Sequence, residues 1–189
     1  RFGGVLATPP ARNDKGLTLA INLVKTNIKG ERDLPFCLVI RDLLERAENL
    51  EDMIEIQGGY AGTFGYNLTM ADDSRIFTSE IAPKGSMDKF IGTPLVRSNT
   101  YVSDNMQKYL LRRDYSKKIQ VYAESLLENA LSPRQELSEE NLLAILADKP
   151  KICRINPLKS MTLCYFSKDH FGKGNAGNQD HGVIPIPWN

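Results

Sequence analysis

Cysteine is scarce. Cys37, Cys153 and Cys164 are the three in 189 residues, an odd set with no CxxC spacing. That pattern excludes a disulfide framework and a cysteine zinc site. Cys37 falls in an apolar helical run and Cys164 in an apolar strand run, so both are expected as buried, inert thiols. Histidine is scarcer still, with only His170 and His181, both in a polar tail. No metal site is expected from them. No apolar run approaches the ~20 residues that cross a bilayer. Charge of one sign is lacking too: 24 Lys and Arg face 23 Asp and Glu, for a net charge of +1. No strong field favours nucleic acid or an acidic membrane, and nucleic acid is not expected as a partner. A P-loop, a GxGxxG after a strand, HExxH and GxSxG are all missing, and no cofactor is expected. No signal peptide is visible. The chain opens on Arg1 and not on Met, which reads as upstream sequence cleaved or left out, and nothing marks a compartment.

What is present is a globular composition, 41% hydrophobic and 25% charged, at a length suited to one domain. "GLTLAINLV" (16–24) alternates cleanly. Leu17, Leu19, Ile21 and Leu23 lie on one side, Thr18, Ala20 and Asn22 on a small, mildly polar other side. This predicts a strand covered on both faces. "DLPFCLVIRDLLERAEN" predicts a helix with Asp33 as N-cap and Pro35 in its first turn. Its apolar stripe is Phe36, Ile40, Leu43, Leu44 and Ala47, and Arg41 is expected to pair with Asp42, Glu45 or another helix's acid. A second helix follows, with Asn49 as cap, Ile54 buried and Gly58-Gly59 as terminator.

"FGYNLTMADDSRIFTSE" (64–80) reads as a hairpin turning at Asp72-Asp73-Ser74, with Arg75–Ile81 as its second strand, ended by Pro83 and Gly85. Residues 92–103 are irregular and partly extended. Residues 114–131 form the clearest helix, with Ile119, Tyr122, Leu126 and Ala130 on one face. Ser138 caps another over 138–150, and a strand lies around Met161–Phe166. Strands come in hairpins and helices in pairs, so the class is α+β with antiparallel sheets. Residues 1–169 are expected to form one domain and 170–189 a Gly- and Asn-rich tail.

Asn67 is out of place in its strand, because strand interiors disfavour Asn. Three roles are open to it: satisfying a stray backbone group, carrying a glycan on Asn67-Leu68-Thr69, or donating a hydrogen bond to a reacting atom.

The order of segments carries more information than any one of them. "DKGLTLAINLV", "LPFCLVIRDLLERAENLEDMIEI", "AGTFGYNLTMADDSRIFTSEIAP", "LVRSNTYVS" and "KICRINPLKSMTLCYFSKD" together resemble the N-terminal nucleophile (Ntn) hydrolases of the isopenicillin N acyltransferase and linear-amide hydrolase type. Choloylglycine hydrolases and acid ceramidase-like amidases share that architecture, and the likeness spans about residues 3 to 168. It implies a four-layer αββα sandwich of antiparallel sheets, here partial, and an N-terminal Cys whose own α-amino group is the base. An α-amine titrates near ~7.7–8.0, close to working pH, so no His is needed. The thiolate would attack an amide carbonyl, and water or an amine would take the acyl group.

Carried over by residue, the resemblance makes Asn67 in "GYNLT" an oxyanion donor, with Gly65 leaving space for substrate, and makes Arg154 in "KICRINP" a guanidinium near the thiol. Asn99 in "VRSNTYVS" would bind substrate or cap its loop. Tyr101, with Phe90 and Tyr109, would line an acyl pocket or pack as core. Two positions depart from the pattern: Thr100 and Ile155 stand where the family often has His. The nucleophile and the Arg and Asp after it would lie upstream of Phe2, since none of the three cysteines holds an N-terminal strand position. The expectation is therefore a cysteine amidase or acyltransferase on a linear, non-peptide amide, with a small-molecule amide or acyl substrate. The alternative is an inactive relative serving as a binding or scaffold module. A homo-oligomer stays open.

Overall fold

The computed structural model describes residues 11–30, 34–85, 87–91, 95–111, 114–131, 138–148, 152 and 162–164. The alternating segment becomes β2 (Thr18–Val24), flanked by a short β1 (Ala11–Arg12) and by β3 (Gly65–Ala71). Beyond β3 come β4 (Ile76–Ile81) and β5 (Met87–Ile91), giving one sheet in the order β1-β2-β3-β4-β5, antiparallel throughout. A second antiparallel pair joins β6 (Leu95–Arg97) to β7 (Thr162–Cys164).

The hairpin between β3 and β4 is set by local chemistry. Asp72 Oδ1 accepts from the backbone N–H of Ser74 and Arg75, both at 2.8 Å, and from the Ser74 hydroxyl. This is the Asx-turn that Asp72 at the head of Asp72-Asp73-Ser74 calls for. Arg75 lies just before the strand, and reaches back to Glu51 on the second helix.

One face of the large sheet is apolar. Leu19, Tyr66, Leu68, Met70, Phe77 and Ile81 pack against α1 (Phe36–Arg46) and α2 (Leu50–Gly58) through Val39, Ile40, Leu43, Leu50 and Met53. Helix α1 starts two residues later than its sequence suggests. Pro35 is the N-cap residue rather than a first-turn residue, with φ −55° and ψ 137°; a proline disfavours the α region for the residue before it, so Leu34 does not extend the helix backwards, and Asp33 lies outside the described residues. Arg41 pairs with Glu45 at 2.6 Å, one turn on. Cys37, at the helix start, is half-buried rather than buried.

In α2 the buried stripe runs through Leu50, Met53 and Gln57, leaving Ile54 partly covered. Asn49 caps the helix by accepting from the Asp52 N–H at 2.9 Å, which fixes its first turn. Asn49→Ala is expected to cost about 1 kcal/mol. It should lower the melting temperature by roughly 2–4 °C for a domain of this size, checked by thermal circular dichroism.

On the far side, α4 (Asp114–Ala130) and α5 (Glu139–Ala147) form a second helical layer. Ala123, Leu127, Leu142, Ile145 and Leu146 pack there with Val96 of β6. The Ser138 hydroxyl caps α5 by accepting from the Asn141 N–H. Strand β7 touches β2, so the layers run helices, sheet, sheet, helices. The fold is α+β and fits the αββα sandwich. A one-turn helix, α3 (Asp104–Gln107), follows the loop after β6.

Candidate active site

The face of the large sheet that looks away from α1 and α2 is polar yet fully buried. In the register of the ladder, Asn22 of β2 lies opposite Asn67 of β3, and Asn67 opposite Glu80 of β4. All three are 0% exposed. One pair of residues along, Thr69 and Thr78 share a hydroxyl–hydroxyl bond at 3.3 Å. Polar groups at this depth persist only with partners, because each orphan costs about 1–3 kcal/mol.

The partners come from the loop after β6. Asn67 Nδ2 donates to the Ser98 carbonyl and to the Thr100 carbonyl, both at 2.8 Å. The assignment of the amide is fixed by these two acceptors, since a flipped group would aim its oxygen at them. Both amide hydrogens are thus engaged, and none is left for a reacting oxygen in this arrangement. The geometry differs here from the donor role expected for Asn67. Its Oδ1 has no partner among the described residues, so the residue acts through its two donated bonds. Complete burial also keeps an oligosaccharide from reaching Asn67 in the folded chain, although its tripeptide is a formal acceptor sequence.

Glu80 completes the hold on the loop. One carboxylate oxygen accepts from the Val102 N–H at 2.6 Å and the other from the Ser103 N–H at 3.1 Å. Arg97, the last residue of β6, is 5% exposed. Burial lowers its pKa, while the charges of Glu80 and Glu124 pull it back up; an arginine stays protonated under such a shift. Gln120 of α4 donates to the Val96 carbonyl at 2.9 Å and to Glu124 at 2.8 Å. The inter-layer space is therefore a connected polar seam.

Asn99 is the residue this seam presents outward. It sits between the two carbonyls that Asn67 holds, and it is half-buried rather than sealed. Its Nδ2 donates to the Leu23 carbonyl at 2.7 Å. Among the described residues, its second N–H has no partner. Of the two asparagines singled out by sequence, Asn99 is the one whose amide retains an available donor.

Tyr101 takes the inward course. It is 1% exposed and packs with Val24, Ala82, Met106 and Leu110. Its hydroxyl donates to the Ile81 carbonyl. Burial first, and then the charge of Glu80, raise its pKa well above the ordinary phenol value, so it stays a neutral donor. It packs as part of a core cluster. The space expected beside Gly65 is likewise filled: a Cβ there would lie 2.5 Å from the Tyr101 hydroxyl and 2.7 Å from the Val24 carbonyl. Tyr109 packs partly against the same core cluster. Arg154, Cys153, His170 and His181, and the side chains of Phe90 and Cys164, lie outside the described residues.

Glu80 and Ser98 did not stand out in the sequence, and Thr100 did so only as a departure from the family's pattern. The available signal was an acid in the middle of a strand, in "IFTSEIAP". Among the described residues, no group of three His, Cys, Asp or Glu is placed to hold a metal ion. No described helix is long and apolar enough to cross a membrane.

No curated protein matches the chain. A protein family does, over most of its length, and that family is one of acyl-transferring enzymes with the Ntn-hydrolase architecture. The chain belongs to the acyl-coenzyme A:6-aminopenicillanic acid acyl-transferase family, which it matches over residues 10–170.

Proposed function

We propose that this protein is an Ntn-type cysteine amidase or acyltransferase that acts on a linear, non-peptide amide through an acyl-enzyme. The family match over residues 10–170 carries the reading. Residues 1–169 serve as one catalytic domain and 170–189 as a tail. The nucleophile is a cysteine upstream of Arg1, exposed by cleavage of its own precursor.

The nucleophile's α-amino group takes the thiol proton, and the thiolate attacks the amide carbonyl carbon. Negative charge gathers on the carbonyl oxygen, where the spare N–H of Asn99 donates to it. Collapse breaks the C–N bond, and the α-ammonium proton leaves with the amine. Water or a second amine then attacks the thioester, and the thiol is regenerated. Arg154 favours the thiolate and orients the carbonyl or a carboxylate of the substrate. Asn67 and Tyr101 serve the loop that carries Asn99 and do not touch the substrate.

Treating the full-length protein with iodoacetamide and mapping the adduct by mass spectrometry tests this reading against an inactive relative. One adduct at a new N-terminal cysteine, with parallel loss of acyl 4-nitroanilide turnover, is the expected result. Labelling scattered over Cys37, Cys153 and Cys164, with no turnover before or after, would leave a binding or scaffold protein on the same fold.

A further inference from the structure

Four bonds reach the loop after β6 from two side chains that are neighbours across the sheet. Asn67 and Glu80 are directly opposed in the β3–β4 ladder, and both are fully buried. Their chemistry is complementary to what they hold. The primary amide offers two donors, and it meets two carbonyls, those of Ser98 and Thr100. The carboxylate offers two acceptor oxygens, and it meets two N–H groups, those of Val102 and Ser103. An aspartate at 67 would face two acceptors with no donor, and a glutamine at 80 would keep one acceptor where two are needed. Asn99 lies inside the clamped segment, and its own amide is tied at one hydrogen to Leu23.

We infer that Asn67 and Glu80 are positioning residues, a paired clamp on the Ser98–Ser103 backbone that aims the free N–H of Asn99. The part of this inference that concerns turnover rests on the proposed acyl-transfer reading; the clamp itself does not. A donor aimed at a developing charge loses its value when its position loosens by about an ångström. The clamp therefore acts on the rate of the chemical step more than on substrate binding.

The test uses Glu80→Gln in the full-length protein, with Asn67→Ala as second variant and Ser79→Ala as control. Ser79 is next to Glu80 on β4 but points to the other face, where its hydroxyl bonds Gln57 at 2.9 Å. Its loss lowers stability without touching the loop. Two readouts are taken: hydrogen exchange at the Val102 and Ser103 amides, and kcat and KM on an acyl 4-nitroanilide. Glu80→Gln should speed exchange at those two amides at least tenfold and lower kcat at least tenfold, with KM within threefold. Asn67→Ala should act alike on kcat, and Ser79→Ala should change neither readout. Unchanged exchange and kcat in Glu80→Gln, at a melting temperature lowered as in Ser79→Ala, would overturn the clamp. If the wild type turns over no substrate, the proposed function fails and the exchange data alone decide the clamp. If Glu80→Gln does not fold, Asn67→Ala decides it by kcat: a loss of at least tenfold at a KM within threefold supports the clamp, and an unchanged kcat overturns it.

Discussion

Asn99→Ala in the full-length protein is expected to lower kcat by about 100-fold or more, the usual effect of removing one oxyanion donor. KM should move little, because the donor gains its strength only as charge develops on the oxygen. Labelling of the nucleophile by iodoacetamide should persist, since thiolate formation does not pass through this amide. The loss of the bond to Leu23 complicates the variant modestly: a half-buried neutral bond contributes about 1 kcal/mol to stability. Melting curves therefore separate the two effects. Asn99→Asp sharpens the result, for it keeps the size of the side chain and sets a negative charge against the developing oxyanion. It should be no more active than the alanine variant. Turnover of Asn99→Ala within threefold of wild type would remove Asn99 from the chemistry.

The comparison of the two asparagines shows what a sequence can display. Asn67 is conspicuous because its strand is apolar on one face, and an amide breaks the pattern. The pattern reports the anomaly but not its partners, which lie 31 and 33 residues away in sequence. Asn99, in an irregular loop, breaks no pattern and gives no signal of its own. The expectation attached the donor role to the anomalous residue; the proposed function moves it to the residue that the anomalous one holds through the Ser98 and Thr100 carbonyls.

Glu80 illustrates a related limit. Thr78 and Glu80 alternate with Phe77 and Ser79, which resembles a strand with one wet face. Both are fully buried, because a second layer covers that face; the small second face of β2 points to such a cover, whereas the Thr and Glu of β4 mask it.

Where the determinant is local, the reading is sound. The Asx-turn at Asp72, the Asn49 cap and the Ser138 cap each need only two to four neighbouring residues. The order β2, α1, α2, β3, β4 was legible for the same reason. Buried stripes were legible to within one position. Val39 and Met53 are more deeply buried than Leu44 and Ile54, since the angle at which a helix meets the sheet selects among adjacent apolar residues.

Gly65→Ala is expected to be the most destabilising small substitution in the site region. Alanine is normally the better strand residue by a few tenths of a kcal/mol to about 1 kcal/mol. Here its Cβ would lie 2.4 Å from Thr26 Cγ2, 2.5 Å from the Tyr101 hydroxyl and 2.7 Å from the Val24 carbonyl. The Thr26 methyl can turn away. The Val24 carbonyl belongs to the β2–β3 ladder, where Val24 faces Gly65, and the Tyr101 hydroxyl is held by Ile81. Backbone in a ladder yields only by opening the ladder. The net cost should be about 3 kcal/mol, at the upper end for overpacking, read as a lowered urea midpoint at unchanged slope. Tyr101→Phe alone should cost about 1 kcal/mol through the hydrogen bond it removes. Combined with it, Gly65→Ala should cost about 1 kcal/mol less than in the wild type, because one of the two rigid obstacles is gone. Strict additivity would show that the hydroxyl is not an obstacle, and a Gly65→Ala cost below about 1 kcal/mol would show that the site yields elsewhere. Tyr101 stands two residues after Asn99, so the same crowding should displace the clamped loop and lower kcat in step with the lost stability.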